Sequence, residues 1–308
     1  MSKIVKSLRP AISIVIPTYN RSEKLKRALE SIIAQTFSNW EVIIVDNSST
    51  DDTDEMLDGF KNYPIRVFKI RNNGIIAASR NLGIRESVGE WIAFLDSDDW
   101  WHCNKLEIVV DNFSSRNDLY YHDLQVIKNH SMLPFYKKTI NSCQVKTPIY
   151  DNLIKFGNVI GNSSVVVRKS LIIKINGLSE NPNLVASEDY DCWLRLSKIT
   201  DNFKYIPEVL GFYEINKVNT TNAQLSLINL KSIKDIYLNS FLLKHEIKIP
   251  VWWQYSFARS LYRTNQIKKA REILSKLIKR NLSWSLRIKV LFMLFSSKNQ
   301  ILFTILKR

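Results

Sequence analysis

The sequence predicts an α/β protein: a mostly parallel central sheet with helices on both faces, followed by an α-helical, basic C-terminal region. Three observations carry this. Apolar runs at Ala11 to Ile16, Glu41 to Val45 and Ile92 to Leu95 stop abruptly at polar residues and alternate with stretches of helical period, as buried parallel strands in βαβ units do. The third run ends in Asp96-Ser97-Asp98-Asp99, three carboxylates within four residues. Charge is also divided unevenly: the chain is +15 overall, residues 217–308 hold eighteen Lys and Arg against three acids, and residues 1–216 are neutral. The expected organisation is therefore a body over 1–216 and a basic helical region over 217–308.

The elements follow in order. Ala11 to Ile16, ended by Pro17, reads as the first strand. Arg21 to Gln35 places Leu25, Ala28, Leu29, Ile32 and Ile33 on one helical stripe, with Asn20 or Ser22 as the N-cap. Glu41 to Val45, ended by Asp46, completes the first βαβ unit. The polar run Asp46 to Asp52 leads into a helix of about 51–61, and Ile65 to Ile70 forms the third strand. Asn72-Asn73-Gly74 is a turn, and Ile75 to Ser87 a helix carrying Arg80 and Asn81. After the acidic run come a helix of about 104–113 and a strand over Tyr120 to Ile127, while residues 128–148 have no pattern that assigns structure. Tyr150 to Phe156 suits a short helix, Asn162 to Val167 a strand, and Val209 to Ile215 the last strand of the body. Ser187-Glu188-Asp189-Tyr190-Asp191 puts acids on the first turn of an amphipathic helix, where the helix dipole favours them. Beyond residue 216 four helices are expected: Asn222 to Leu243, Val251 to Thr264, Ile267 to Arg280 and Trp284 to Phe295. Tyr255, Ala258, Leu261, Tyr262, Ala270 and Leu274 have a tetratricopeptide-like spacing, but in a single copy they read as a plain helical hairpin.

Like charges crowded at a strand end repel unless a cation or polar ligand takes up the charge. Asp96 to Asp99 is therefore either a solvated acidic turn or a divalent-metal site at the carboxyl end of a sheet strand, where open α/β sheets place their ligands. Other classes fit less well. No window of about 18 apolar residues is present to span a membrane, and the first ten residues lack the apolar core of a signal peptide, so a cytoplasmic location is expected. Cys103, Cys143 and Cys192 are odd in number and far apart, which supports neither a disulfide framework nor a zinc site. No recognised nucleic-acid motif accompanies the basic tail.

In order and spacing, Ala11 to Asn20, Glu41 to Asp46, Arg80-Asn81, Asp96 to Asp99 and Glu188-Asp189 together resemble the family 2 glycosyltransferases of the GT-A fold. The resemblance covers residues 11–215 and does not extend past about 221. It implies inverting transfer of a sugar from a nucleotide diphosphate donor to an acceptor hydroxyl, with Mn²⁺ or Mg²⁺ neutralising the leaving diphosphate. By resemblance, Asp98 is the main metal ligand, Asp96 reaches the ribose or the metal's water shell, and Asp99 supports them. Asp189 occupies the position of the base that takes the acceptor's proton, with Glu188 beside it. Pro17, Thr18, Tyr19 and Asn20 line the base and ribose, and Asp46 accepts from a uracil-like imide, which favours a UDP-sugar. Arg80 stands near the base and phosphates. Arg195 either meets the pyrophosphate or pairs with an acid.

The last strand departs from the family pattern. Glu214 stands where many relatives have Arg, and Asn216 where they have His, so a third protein metal ligand is not expected there; Asn216 or Lys217 could substitute. A GT-A-like nucleotidyltransferase would carry a Gly-rich loop near the first strand, and Ile16 to Asn20 has no Gly. A non-catalytic scaffold acting through the tail would leave the clustered acids without purpose.

The tail interleaves Trp252, Trp253, Trp284, Leu286, Ile288 and Leu291 to Phe295 with Arg287, Lys289, Lys298, Lys307 and Arg308. Short apolar helices flanked by basic residues suit the headgroup layer of an anionic membrane, each charge contributing about 1 kcal/mol. The expectation is peripheral attachment to the inner face of the cell membrane through 217–308. A saccharide on a polyprenyl diphosphate, in surface polysaccharide or O-antigen synthesis, is the expected acceptor, by family analogy.

Overall fold

The computed structural model describes residues 9–128, 139–140, 142–215 and 222–295. The chain separates into two compact units, one formed by Met1–Tyr150 with Asn158–Asn219, the other by Asp151–Gly157 with Thr220–Arg308.

In the first unit, β1 (Ile12–Thr18), β2 (Trp40–Asp46) and β3 (Ile65–Lys69) run parallel, joined by α1 (Ser22–Ile33) and α2 (Thr53–Asp58). After α3 (Ile76–Glu86), β4 (Trp91–Phe94) pairs parallel with the other side of β1. Every residue of β1, β2 and β4 is buried, which is why these strands read as unbroken apolar runs. Leu25, Ala28, Leu29 and Ile32 of α1 pack on Ile12, Ile14 and Ile16 in the main core. The opposite sheet face receives α3 at close range. A Cβ at Gly83 would lie 2.5 Å from a Val15 methyl, so only glycine lets this helix lie so near the sheet.

The other half of the sheet is mixed. Beyond the two-residue β5 (Trp100–Trp101) and α4 (Lys105–Asp111), the chain forms β6 (Leu119–Lys128), β7 (Thr139–Ile140), α5 (Ile149–Phe156), β8 (Val166–Arg168) and α6 (Lys169–Lys174). It continues through α7 (Glu188–Leu196) to the long β9 (Phe203–Ile215). The order is β3-β2-β1-β4-β8-β6-β9-β5, with β7 beside β6. β8 is antiparallel to β4 and β6, β5 is antiparallel to β9, and β9 is parallel to β6.

Local expectations need amending in three places. The last strand begins at Phe203, not Val209; Ile206 lies opposite His122 and Val209 opposite Asp123, so Pro207 and Glu208 sit in a bulge where a proline's missing N–H costs no ladder bond. Asn162–Ser164 is a 3₁₀ turn rather than strand, because Asn162 and Ser163 turn their side chains to Asp96 and Asp99. Helix α1 takes no cap from its own Asn20 or Ser22 side chain. Instead the Ser22 N–H donates to Asp51 at 3.0 Å, so a loop 29 residues away closes the helix end.

The second unit is helical: α8 (Ala223–Ile233), a wide turn over Lys234–Leu238, α9 (Asn239–His245), α10 (Val251–Arg263), α11 (Ile267–Leu277) and α12 (Trp284–Phe295). Asn265, at φ 66°, reverses the chain between α10 and α11, and Ala258 and Ala270 meet with no exposed surface. This is the helical hairpin that the spacing suggests. Residues 151–157 belong with this unit, since the Trp252 indole donates to the Ile154 carbonyl at 2.9 Å.

Candidate active site

The carboxyl ends of β2, β1 and β4 lie side by side. Thr18 is opposite Asp46, and the Leu95 N–H donates to the Val15 carbonyl at 3.2 Å, which delivers Asp96 to Asp99 beside the end of β1. At the edge of this region the loops after β1 and β2 tie together: Asn20 N–H donates to Ser49 Oγ at 2.9 Å and Thr50 N–H to Asn20 Oδ1 at 2.7 Å. Pro17 and Thr18 are buried while Tyr19 and Asn20 are exposed, giving a partly open wall. Asp46 is buried, and both of its oxygens accept from the Ser49 N–H at 3.1 Å. It holds the turn that follows β2.

At the centre stands Arg80, 3% exposed. Its Nη2 lies 2.6 Å from Asp96 Oδ1, and its Nη1 meets Glu188 Oε1. Although burial opposes its charge, these carboxylates hold the guanidinium more firmly protonated than usual. Arg80 is thus an internal strut between the end of β4 and the start of α7, with both of its paired nitrogens on protein carboxylates. Asp96 Oδ1 also accepts from Asn162 Nδ2 at 3.1 Å.

The three carboxylates after β4 have different surroundings. Asp99 is buried, accepting from Ser163 Oγ at 2.5 Å and the Glu214 N–H at 3.1 Å, and burial followed by the Asp96 charge pushes its carboxyl well above the usual range. Asp98 is half-buried and faces Arg21, whose Nη1 is 2.8 Å from its Oδ2. Burial raises the Asp98 carboxyl; Arg21 pulls against that rise and Asp96 adds to it. Glu214, the residue in place of the family's Arg, is buried and bound to Arg27 and, at 3.5 Å, to Lys24. These cations hold it below the usual range against the cost of burial. The positive charge absent from β9 is present instead on one face of α1. Asn216 and Lys217 lie outside the described residues.

Asp189 opens α7 one residue after Glu188. Its Oδ2 accepts from Asn158 Nδ2 at 3.1 Å, and burial, then the adjacent Glu188 charge, pushes its carboxyl up to about 7. Arg195 plays no part in this cluster. It is spent on Asp191, 2.8 Å away one turn earlier, and on the Ile175 carbonyl at 2.6 Å. Burial, and then the charges of Asp99, Asp96, Asp98 and Asp189, raise the Tyr213 phenol. Arg21, Asn158, Asn162 and Ser163 escaped the sequence reading, because no local pattern distinguishes them from loop residues.

Four buried polar atoms here have no hydrogen-bond partner among the described residues: Thr18 Oγ1, Arg80 Nε, Asn162 Oδ1 and Glu188 Oε2. Unsatisfied buried groups are uncommon in native structures, and a bound polar ligand or water is one way to satisfy them. No group of three His, Cys, Asp or Glu among the described residues is arranged to hold a metal. What the site offers is the half-buried carboxylate of Asp98, paired with Arg21 and with Asp96 nearby. That fits a hard cation carried by one or two carboxylates plus substrate phosphates, not a protein-only cage.

Acids and orphaned polar atoms gathered at the carboxyl ends of the strands stand where open α/β sheets place their ligands. The Glycosyl transferase family 2 profile matches residues 13–171, and the chain belongs to that family. An uncharacterized glycosyltransferase of Haemophilus influenzae is 31% identical over 188 residues, covering 60% of this chain and 61% of the relative. The Escherichia coli UDP-Glc:alpha-D-GlcNAc-diphosphoundecaprenol beta-1,3-glucosyltransferase WfgD is 30% identical over 191 residues, 61% of this chain and 70% of that protein. The S. aureus TarS 1-349 structure in complex with UDP-GlcNAc superposes with a TM-score of 0.59 at 15% identity, covering 94% of this chain and 89% of that one. The fold is the GT-A fold. The chain spans about three fifths of the Haemophilus relative's length.

Proposed function

We propose that this protein transfers a sugar from a nucleotide diphosphate, a UDP-sugar, to an acceptor hydroxyl with inversion at the anomeric carbon. The observation that carries the reading is the pairing of opposed environments: Asp189, a carboxyl pushed up to about 7, stands across the Arg80 strut from the acids after β4. A base poised near the working pH suits removal of the acceptor's proton as its oxygen attacks. The acceptor oxygen forms the new bond to the anomeric carbon, the bond to the diphosphate oxygen breaks, and Asp189 holds the released proton. Asp98 would hold Mn²⁺ or Mg²⁺ together with the donor diphosphate, and that cation supplies charge neutralisation for the leaving group. Pro17, Thr18, Tyr19, Asn20 and Asp46 form the nucleoside wall. The UDP donor is supported by the UDP named for WfgD and TarS, and a polyprenyl-diphosphate-linked saccharide acceptor by the substrate in WfgD's name.

The helical region 217–308 attaches the enzyme peripherally to the inner face of the cell membrane. On α12, Trp284, Ile288, Leu291 and Phe295 are 76%, 51%, 40% and 82% exposed, while Val290 and Met293 fill the core of the helical unit. Spacings of four, three and four residues put the exposed set on one stripe, with Arg287 and Lys289 on the same helix. No helix among the described residues is long and apolar enough to cross a membrane. Lys298, Lys307 and Arg308 lie outside the described residues.

The test is a panel of nucleotide sugars incubated with the purified full chain and Mn²⁺, reading nucleotide diphosphate release. At least one UDP-sugar should be hydrolysed, and thorough chelation should stop the reaction. Absence of release from every donor, together with absence of UDP binding, would overturn the reading.

A further inference from the structure

We propose that Arg21 is an exchangeable counter-ion: it holds Asp98 while the donor is absent and transfers to the donor's diphosphate when a divalent cation takes Asp98. This rests on the glycosyltransferase reading and assigns a donor-binding residue that the sequence does not reveal.

Three cations, Arg21, Lys24 and Arg27, stand three residues apart at the start of α1 and along one of its faces. Two are fixed. Lys24 and Arg27 both bind Glu214, and Arg27 is clamped further, donating to the Asp98 carbonyl at 2.8 Å and lying 3.8 Å over the Trp100 ring, which stacks on Phe212. Arg21 differs. Its bonded partner is Asp98 Oδ2, at 2.8 Å, the carboxylate that the donor's cation requires. Its side chain is partly exposed, and it gives α1 no side-chain cap, so it can leave without opening the helix.

A divalent ion arriving at Asp98 would face a guanidinium at contact distance, and like charges there repel strongly in a half-buried site. Arg21 must therefore move, and with a diphosphate present it finds phosphate oxygens, which a guanidinium binds by paired N–H groups. Without a diphosphate it finds only solvent. Metal and donor should consequently bind together far better than either binds alone, and by thermodynamic linkage each should strengthen the other by the same factor. The Glu214 substitution fits this division: Glu214 keeps Lys24 and Arg27 out of the exchange and leaves Arg21 as the mobile cation.

The experiment is calorimetric titration of the full chain with MnCl₂ alone, with UDP alone, and with each at saturating levels of the other, using inorganic pyrophosphate as a base-free probe. Wild type, Arg21→Gln and Arg21→Lys are compared, with thermal melts confirming folding. In wild type, saturating UDP should tighten Mn²⁺ about tenfold or more, the value of one charge-assisted hydrogen bond. Arg21→Gln should bind Mn²⁺ alone about tenfold more tightly, and UDP with Mn²⁺ about tenfold more weakly. Arg21→Lys should lie nearer wild type in both. Opposite movement of the two affinities is the signature, since a structural role would leave Mn²⁺ binding unchanged or weaken both. If Arg21→Gln leaves Mn²⁺ affinity unchanged, or weakens it, while wild type binds UDP with Mn²⁺, the counter-ion exchange is wrong and the glycosyltransferase reading stands. If wild type binds neither UDP nor pyrophosphate with Mn²⁺, both fail.

Discussion

The α/β unit buries charge, and the helical unit exposes apolar surface. Arg80, Asp99, Lys105, Glu188 and Glu214 are all within the buried class in the first, whereas Trp284 and Phe295 stand in solvent in the second. Each breaks the ordinary rule of burial, in opposite directions. A buried charge is tolerated where other charges and a polar ligand compensate it, and an exposed apolar stripe where an apolar environment covers it. The contrast also shows that burial of charge has no single meaning. Arg80 has two carboxylate partners, but the Lys105 amine has no hydrogen-bond partner among the described residues and lies 3.6 Å over the Trp101 ring.

The largest expected effect separates chemistry from binding. Asp189→Asn should lower turnover by about 10³-fold, within the range that a positioned general base contributes. UDP binding measured by calorimetry should be retained, and full turnover would move the role to Glu188. In the wild type, activity should rise with pH through about 7 as Asp189 loses its proton. Its raised folded pKa means that the unfolded chain releases this proton first, so ionisation at this position opposes folding above the ordinary Asp range. The Asn variant should therefore melt no lower than wild type at pH 8.

Arg80→Met tests whether the first unit's buried charges act as one network. Removing the cation leaves Asp96 and Glu188 facing each other with nothing between them, and breaking a buried pair costs about 3–5 kcal/mol. Denaturant unfolding should show a loss of that size, and a loss below about 1 kcal/mol would reduce the strut to an incidental contact.

For the second unit, changing Trp284 and Phe295 together to Ser should weaken flotation with anionic liposomes at least tenfold. Burying one large apolar side chain is worth about 1.5–3 kcal/mol. The melting temperature should hardly move, because neither side chain belongs to the core. Unchanged flotation would remove α12 from membrane attachment.

The smallest effect concerns Lys105. Burial holds its amine well below the ordinary lysine range, so as pH approaches about 10 from below the unfolded chain binds more protons than the folded one. Wild-type stability should climb over that window. Lys105→Met, which removes the amine from an apolar site, should be flat there and within about 1 kcal/mol of wild type, or above it, at pH 7. The same slope in the variant would assign the pH dependence elsewhere.

What the sequence determined by itself was whatever neighbouring residues impose on one another. The unbroken apolar runs of β1, β2 and β4, the stripe of α1, and the α10–α11 hairpin are all short-range patterns, and so is the arrival of three acids where β4 ends. The resemblance of those pieces in order reached the family. What only the tertiary structure decided depends on partners far apart in the chain. That Arg80 joins Asp96 to Glu188, 108 residues on, is visible only in the fold. Asp98 reads as a free metal ligand until Arg21 is found on it, and Glu214 as a missing arginine until Lys24 and Arg27 surround it. Pro207 conceals the first half of β9 because the bulge that accommodates it exists only against β6. A carboxylate's role is set by the charges and hydrogen bonds that converge on it, and convergence across a hundred residues leaves no trace in local spacing.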